Sequence, residues 1–161
     1  EKAVAQAQDL GATSADRLGL GVVTTMGHSA NAGEKPGLAE AYSTYVAITQ
    51  DDKGKITSCV IDASQGQVNF DASGKITSDL TKQVKTKNEL GEAYGMKRAS
   101  KIGKEWNEQA AAFAKYVTGK TPSEVKNIAV DAQERPTGSD LRSQVTIGIG
   151  DFQAALAKAA R

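Results

Sequence analysis

Residues 45–56 read Tyr45-Val46-Ala47-Ile48-Thr49-Gln50-Asp51-Asp52-Lys53-Gly54-Lys55-Ile56. Apolar and polar side chains alternate over residues 39–50, which is the pattern of a strand with one buried face. The polar segment 51–55 contains a glycine and is typical of a hairpin turn, and a second apolar run follows over 56–63. The sequence therefore predicts an antiparallel hairpin in which 39–50 pairs with 56–63.

Strand-like segments also lie on both sides of this hairpin. Residues 20–26 are mostly apolar or β-branched, and a small, glycine-punctuated loop over 27–37 separates them from the hairpin. A turn is predicted at 64–66 and a short strand at 67–70. The segment 71–77 repeats the turn chemistry of the hairpin, so we expect it to turn and feed another strand.

The strongest helical pattern covers residues 101–117. Apolar side chains recur there at steps of three and four, which places them on one face of a helix. They are Ile102, Trp106, Ala110, Phe113 and Val117. Gly119 is a typical stop signal after such a helix. Two aromatic residues on one helix face can line a planar cofactor, but core packing is the more common role and the one that we expect.

Helices are also indicated at both ends of the chain. Residues 1–16 have apolar residues at helical spacing, with Gly11 as a candidate cap and a connection over 12–21. Thr121-Pro122-Ser123-Glu124 is a capping box with proline at the first helical position. Asp151 is the candidate cap of a last helix. The apolar face of that helix consists of Phe152, Ala155, Leu156 and Ala159.

This order of elements, strands first and helices after, predicts the fold class. It favours an α+β fold, an antiparallel β-meander with helices packed on one side. No glycine-rich phosphate loop follows a strand and opens a helix, so a doubly wound nucleotide-binding fold is not expected. We expect residues 1–19 to form an N-terminal helix and connection, and residues 20–161 to form the α+β domain.

Composition excludes several classes of function. The net charge is +1 and aromatic residues are 5% of the 161 residues, so neither nucleic acid nor an anionic membrane surface is an expected partner. No apolar run reaches membrane-spanning length. The lysines at 82, 85 and 87 are interpreted as one solvated face.

The sequence offers no catalytic constellation and no metal-ligand cluster. Cys59 and His28 are the single cysteine and histidine, too few for a zinc site. Cys59 lies in an apolar run and is expected to be a buried small hydrophobe, whereas His28 is expected in a turn or at the surface. We therefore predict no catalytic residue, and a binding or electron-carrier module is favoured over an enzyme.

The best candidate for chemistry is the polar stretch before the last helix. Asp140, Ser143 and Thr146 recur there at every third position. A carboxylate and two hydroxyls close together in sequence are consistent with a modification site, an anion-binding loop or ordinary turn chemistry.

Several of these features together resemble the FMN-binding domain family, which occurs in bacterial surface lipoproteins, including those of clostridia and related Gram-positive bacteria. The hairpin resembles that family's strand, Asp/Asn-Gly-Lys-Ile turn and strand. Further similar segments are Lys87-Asn88-Glu89-Leu90-Gly91, Tyr94-Gly95-Met96, the helix with Trp106 and Phe113, and Gly119-Lys120-Thr121-Pro122-Ser123-Glu124-Val125. The resemblance covers residues 20–160.

The resemblance implies a cofactor and its site. In this family FMN is often attached by a phosphoester to the last residue of a motif Asp-x-x-Ser/Thr-Gly-Ala-Thr/Ser. The match implies Thr146 as the acceptor, with Asp140 and Ser143 helping to present it to a separate flavin transferase. Tyr94, Met96 and Trp106 are candidate lining residues for the flavin.

The resemblance further implies a cell-envelope lipoprotein module that carries electrons to or from a redox partner. It would stand on the extracellular face of the membrane, held by a lipid anchor upstream of this chain. The alternative is a flavin-free envelope module that keeps the fold and binds another ligand or protein. Gln144-Val145, which replaces the family's Gly-Ala, favours this alternative, because valine is β-branched and stiff.

Overall fold

The computed structural model describes residues 10–160, which contain a three-stranded antiparallel sheet and several helices. The strands are β1 (Arg17–Thr25), β2 (Gly37–Gln50) and β3 (Ile56–Phe70), in the spatial order β1-β2-β3. Each strand therefore pairs with its neighbour in sequence, and the meander expected from the sequence is confirmed.

The predicted hairpin is also confirmed. Its turn is held by the Asp51 carboxylate, whose Oδ1 accepts hydrogen bonds from the backbone N–H groups of Lys53 and Lys55 at 3.0 and 2.8 Å. Gly54 has a φ of +74°, a left-handed conformation that favours glycine. These contacts bring Gln50 opposite Ile56 and set the register of the pair.

The returning strand is longer than predicted. Residues 64–66 were expected to turn, but they continue β3, because β2 begins at Gly37 and offers a partner along the whole length. The turn at 71–75 does form, since Asp71 accepts the N–H groups of Ser73 and Lys75. The strand expected after it is reduced to one bridge between Phe70 and Ile76.

The segment before β1 differs from the sequence prediction. Of the helix expected over 1–16, residues 1–9 lie outside the described part, and 10–16 are not helical. The Asp16 carboxylate accepts hydrogen bonds from the Thr13 N–H and the Thr57 hydroxyl, both at 2.8 Å, and so fastens a turn onto β3. The strand begins at Arg17, inside the predicted connection. The division at residue 19 stays a prediction.

Five α-helices follow the sheet in the described part of the chain. They are α1 (Lys87–Leu90), α2 (Trp106–Val117), α3 (Pro122–Lys126), α4 (Ser139–Arg142) and α5 (Gly150–Ala159), with 3-10 turns at Gly91–Tyr94 and Met96–Arg98. The capping box at Thr121 is confirmed. Asp151 is not the cap of the last helix but lies in its first turn, because Ile149 occupies the cap position.

The long helix α2 is shorter than predicted at its N-terminal end. Gly103 has a φ of +62°, which is not helical, and Glu105 then caps the helix through a reciprocal capping box with Glu108. Residues 101–105 are therefore not helical. The predicted apolar stripe is otherwise correct, since its members within α2 are all buried.

The last helix packs directly on the backbone of β1. A Cβ atom added at Gly19 or Gly21 would lie 1.8 Å from the carbonyl oxygen of Ala159 or Ala155 respectively. Gly19 and Gly21 alternate along β1 with residues that point away from the helix. Because neither glycine has a side chain, α5 approaches the strand more closely than other residues would permit.

The helices cover one face of the sheet. Side chains of β2 and β3 on this face form the core with α2 and α5, among them Val46, Ile48 and Ile61. The opposite face carries Leu18 and Leu20, which are 74% and 68% exposed. The α+β architecture with helices on one side is thus confirmed.

Candidate functional site

A cleft opens where the loop between α4 and α5 meets the segment before α2. It has a volume of about 320 Å³ and is lined on one side by Thr146 and Ile147, and on others by Met96 and Pro136. This volume is at the lower end of the range of about 300–1,000 Å³ that is typical of small-molecule sites. We call this feature the Thr146 cleft.

The loop that carries Thr146 is anchored by three buried apolar residues at intervals of four. Leu141, Val145 and Ile149 are buried in the core, whereas Thr146 and Ile147 between them are only half-buried. The backbone N–H of Val145 donates to the carbonyl of Leu141 at 2.8 Å, which continues the turn of α4. The packing of its neighbours therefore turns Thr146 towards the cleft.

Thr146 is held by a single side chain, that of Gln109 in α2. Both the backbone N–H and the hydroxyl of Thr146 donate hydrogen bonds to Gln109 Oε1, at 2.8 and 3.2 Å. Gln109 is completely buried. The acceptor predicted from the sequence is thus joined to a helix 37 positions away in the chain.

The Thr146 cleft is cationic. Lys101, Arg135 and Arg142 line it together with Asp131. Arg135 pairs with Asp131 at 2.9 Å, and hydrogen bonds from the backbone and side chain of Arg135 hold the pKa of the Asp131 carboxyl below its ordinary value. Among residues 10–160, Lys101 and Arg142 form no ion pair. Net positive charge therefore remains at the cleft and favours an anionic ligand.

The other two predicted site residues lie outside the cleft lining. Ser143 is exposed at the end of α4, and its hydroxyl donates to the backbone carbonyl of Asp140 at 2.8 Å. The Asp140 side chain is exposed in the first turn of α4. The structure therefore places only Thr146 at the cleft, and the hydroxyl of Ser143 is used in local helix chemistry.

The three candidate lining residues separate into two groups. Met96 lines the Thr146 cleft. Tyr94 and Trp106 instead surround the Lys87 ammonium, with ring centroids 4.5 and 4.9 Å from Nζ. Trp106 and Phe113 also pack against Phe152 in the core, as expected from their helical spacing.

Lys87 is not part of a solvated face, which corrects the prediction for this residue; Lys82 and Lys85 are exposed as expected. The side chain of Lys87 is 4% exposed, and Nζ lies 4.6 Å from the Tyr42 ring and donates to its hydroxyl at 2.9 Å. Burial lowers the pKa of this ammonium to about 8. The aromatic rings compensate part of the lost hydration, as cation–π contacts do.

The position of Lys87 follows from the way α1 is fastened to β3. Thr86 caps the helix and bridges to Ser64, and the N–H of Asn88 donates to Asp62 Oδ1 at 3.1 Å. Lys87 lies between these two anchors and therefore turns inward. No periodic pattern in the sequence indicated this arrangement.

A buried carboxylate lies near this lysine. Glu40 is 2% exposed and accepts hydrogen bonds from Gln67 and from His28 Nδ1, the latter at 2.6 Å. The bond from Gln67, followed by that from His28, holds the pKa of Glu40 below its ordinary value against the opposing effect of burial. We call Glu40, Tyr42, Lys87, Tyr94 and Trp106 the Lys87 cluster. None of its five residues lines the Thr146 cleft, so the cluster lies apart from that cleft.

Two other features are absent from residues 10–160. No group of three or more His, Cys, Asp or Glu side chains is arranged there to hold a metal ion. None of the helices in this part of the chain combines the length and apolar character needed to cross a membrane. Cys59 is buried in the core, as its apolar neighbours indicated.

Gln109 is the member of the site that the sequence pattern missed. It lies three residues after Trp106 and four before Phe113, on the apolar face of α2. A polar residue on such a face needs a buried partner, and this is the signal that could have identified it.

Comparison with known proteins gives one partial similarity. A segment of 54 residues is 46% identical to part of a protein named chlorophenol reductase from Desulfitobacterium hafniense. The match covers 32% of this chain and only 16% of that protein. No family model matches the chain, and no solved structure matches it.

Proposed function

We propose that this chain is a redox module that carries FMN on Thr146 through a phosphoester. The observation that carries the proposal is the position of the Thr146 side chain on the wall of a cationic cleft. A hydroxyl and unpaired cations at one site suit a phosphate that is bonded to the hydroxyl oxygen.

The cleft has the chemistry to hold the phosphate end of such a group. Lys101, Arg135 and Arg142 supply positive charge, while Met96 and Ile147 offer apolar contact to the adjoining part of the molecule. The small volume is consistent with a tethered cofactor, because a covalent bond removes the need for a deep enclosing pocket. The residues present therefore fit the phosphate and the carbon atoms next to it.

A redox role has independent though partial support. The protein named chlorophenol reductase, to which a third of this chain is similar, is named for a reduction. FMN, when bound, supplies reversible electron transfer. The chain's own part is to orient the tether through Thr146 and to balance the phosphate charge, so we propose a carrier and not an enzyme that transforms a substrate.

The proposed carrier works at the extracellular face of the cell membrane, held by a lipid anchor upstream of residue 1. A separate flavin transferase loads it, and a redox partner exchanges electrons with it. These assignments rest on the resemblance to FMN-binding domains. In addition, Ser143 and Gln144 are exposed, so a transferase has room to approach the loop.

A second candidate is a flavin-free envelope module with the same fold. It is favoured by Val145, which stands in place of a small residue and is completely buried in the core. A loop anchored in this way resists being drawn into the active site of a transferase. In this case the cationic cleft would bind a free anionic ligand.

The decisive experiment is co-production of the chain with a flavin transferase, followed by intact mass and visible absorption. We expect one FMN on the parent chain and on Thr146→Ser, and none on Thr146→Ala. Ser143→Ala tests the other hydroxyl of the loop. Because that hydroxyl lies outside the cleft and donates to the carbonyl of Asp140, we expect this variant to load fully, and a loss of loading would show that Ser143 helps to present Thr146. Flavin retained by Thr146→Ala would contradict the acceptor assignment.

A further inference from the structure

The amide of Gln109 is fixed in one orientation. Its nitrogen donates to the backbone carbonyl of Lys104 at 3.1 Å and to Ser100 Oγ at 3.3 Å, and its oxygen accepts the backbone N–H of Thr146. A carbonyl can only accept and a backbone N–H can only donate, so these two backbone groups determine which end of the amide is which. Oε1 must therefore face Thr146.

This orientation constrains the Thr146 hydroxyl. The hydroxyl proton is directed at Gln109 Oε1, 3.2 Å away, inside the protein. The contact with Gln109 therefore uses the proton of Oγ1 and not its lone pairs. Thr146 itself lines the cleft. The backbone bond at 2.8 Å holds the main chain at the same time, so both the position and the rotamer of Thr146 are set by one side chain.

We propose that Gln109 is a positioning residue for the modification of Thr146. Its contact with Thr146 selects this residue over Ser143 as the flavin acceptor. This inference rests on the proposed function. Ser143 has no comparable partner, since its hydroxyl donates to the carbonyl of Asp140 in its own helix. Only Thr146 is presented to the cleft by a buried group from another element.

The step is a phosphoryl-group transfer without change of oxidation state. Thr146 Oγ1 attacks the FMN phosphorus of a flavin dinucleotide, forming an Oγ1–P bond while the anhydride P–O bond breaks. The nucleoside monophosphate leaves. The hydroxyl proton rotates away from Gln109 Oε1, with Oγ1 staying in place, and passes to a base of the transferase. Gln109 does not exchange a proton; after the transfer it keeps the backbone N–H of Thr146 in place. Correct placement of a reacting group is a large part of catalysis, and misplacement by about 1 Å can cost on the order of a hundredfold in rate.

The test measures loading of the purified chain by a flavin transferase and flavin adenine dinucleotide, at several concentrations of the chain. Gln109→Met keeps the shape of the side chain and removes the acceptor. We expect the kcat for loading to fall at least about tenfold while KM for the chain stays within about twofold, because docking of the exposed loop is unchanged. Peptide mapping should also find an increased share of flavin on Ser143.

The control for general destabilisation is Gln153→Met. The Gln153 amide donates to the carbonyl of Val125 at 2.8 Å, so this variant loses a comparable hydrogen bond away from the cleft. It is expected to load at the parent rate. If Gln109→Met does not fold, Gln109→Glu decides the question, because it keeps an acceptor oxygen for Thr146. Loading within about threefold of the parent supports the inference, and any larger loss overturns it.

The outcomes separate this inference from the proposed function. If the parent chain gains no flavin, both are overturned. If the parent is loaded on Thr146 and Gln109→Met is loaded with the same kcat and the same site, only the positioning role of Gln109 is overturned.

Discussion

Lys87 Nζ donates a hydrogen bond to the Tyr42 hydroxyl at 2.9 Å inside a shell of three aromatic rings. The ammonium is buried, and its pKa falls to about 8 from an ordinary value of 10.5. A lowered lysine pKa means that between these two values the unfolded chain binds more protons than the folded one. The free energy of unfolding contributed by this residue therefore rises with pH across that interval.

Replacement of Lys87 by methionine should remove this pH dependence. The free energy of unfolding of the parent minus that of Lys87→Met should increase by about 1–3 kcal/mol between about pH 8 and pH 10. Chemical denaturation at a series of pH values measures it, and other lysines and tyrosines cancel in the difference. Lys85→Met, at an exposed position, is the control. A difference that stays constant with pH would show that Lys87 titrates normally.

The contact of β1 with α5 requires glycine at position 21. Gly21→Ala would bring Cβ to 1.8 Å from the carbonyl oxygen of Ala155, so the helix must move away from the sheet. We expect a loss of about 2–4 kcal/mol in the free energy of unfolding, as for other overpacked or disrupted core contacts. Urea denaturation measures it.

Gly33→Ala is the matched control for that substitution. No heavy atom of the described residues beyond its chain neighbours lies within 4 Å of a Cβ placed there. This variant should be neutral or slightly stabilised, because alanine restricts the unfolded chain. Equal effects of the two substitutions would contradict the close packing of β1 on α5.

Cys59 is expected to be inert in the folded protein. It is 7% exposed, and burial raises the pKa of its thiol to about 12, so both access and the thiolate are lacking near neutral pH. A chromogenic disulfide reagent at about pH 8 should react with one thiol per chain only after unfolding in denaturant. Reaction of the native protein at the rate of the unfolded protein would refute the burial of this residue.

Local patterns were enough to predict the hairpin and the apolar faces of α2 and α5. Asp51, Gly54 and the spacing of Trp106 and Phe113 act within a few residues, so their consequences can be deduced without knowing the rest of the fold. The end of β3 was misplaced because Ser64–Gly66 favour a turn locally, whereas a paired partner strand overrides that preference.

The candidate site was less accessible to sequence reasoning because its contacts are distant in the chain. The bond between Gln109 and Thr146 spans 37 positions, and that between Lys87 and Tyr42 spans 45. Lysine is almost always exposed, so the sequence alone predicts Lys87 at the surface. Its burial depends on the rings of three other elements, which no local pattern specifies.

Intact mass and a visible absorption scan of the protein from its native host show whether Thr146 carries FMN. We expect a species heavier by one FMN unit that absorbs in the flavin region, with the modification mapped to Thr146. An unmodified mass and no flavin absorption would show that Thr146 carries no FMN and would leave the flavin-free module as the function to pursue.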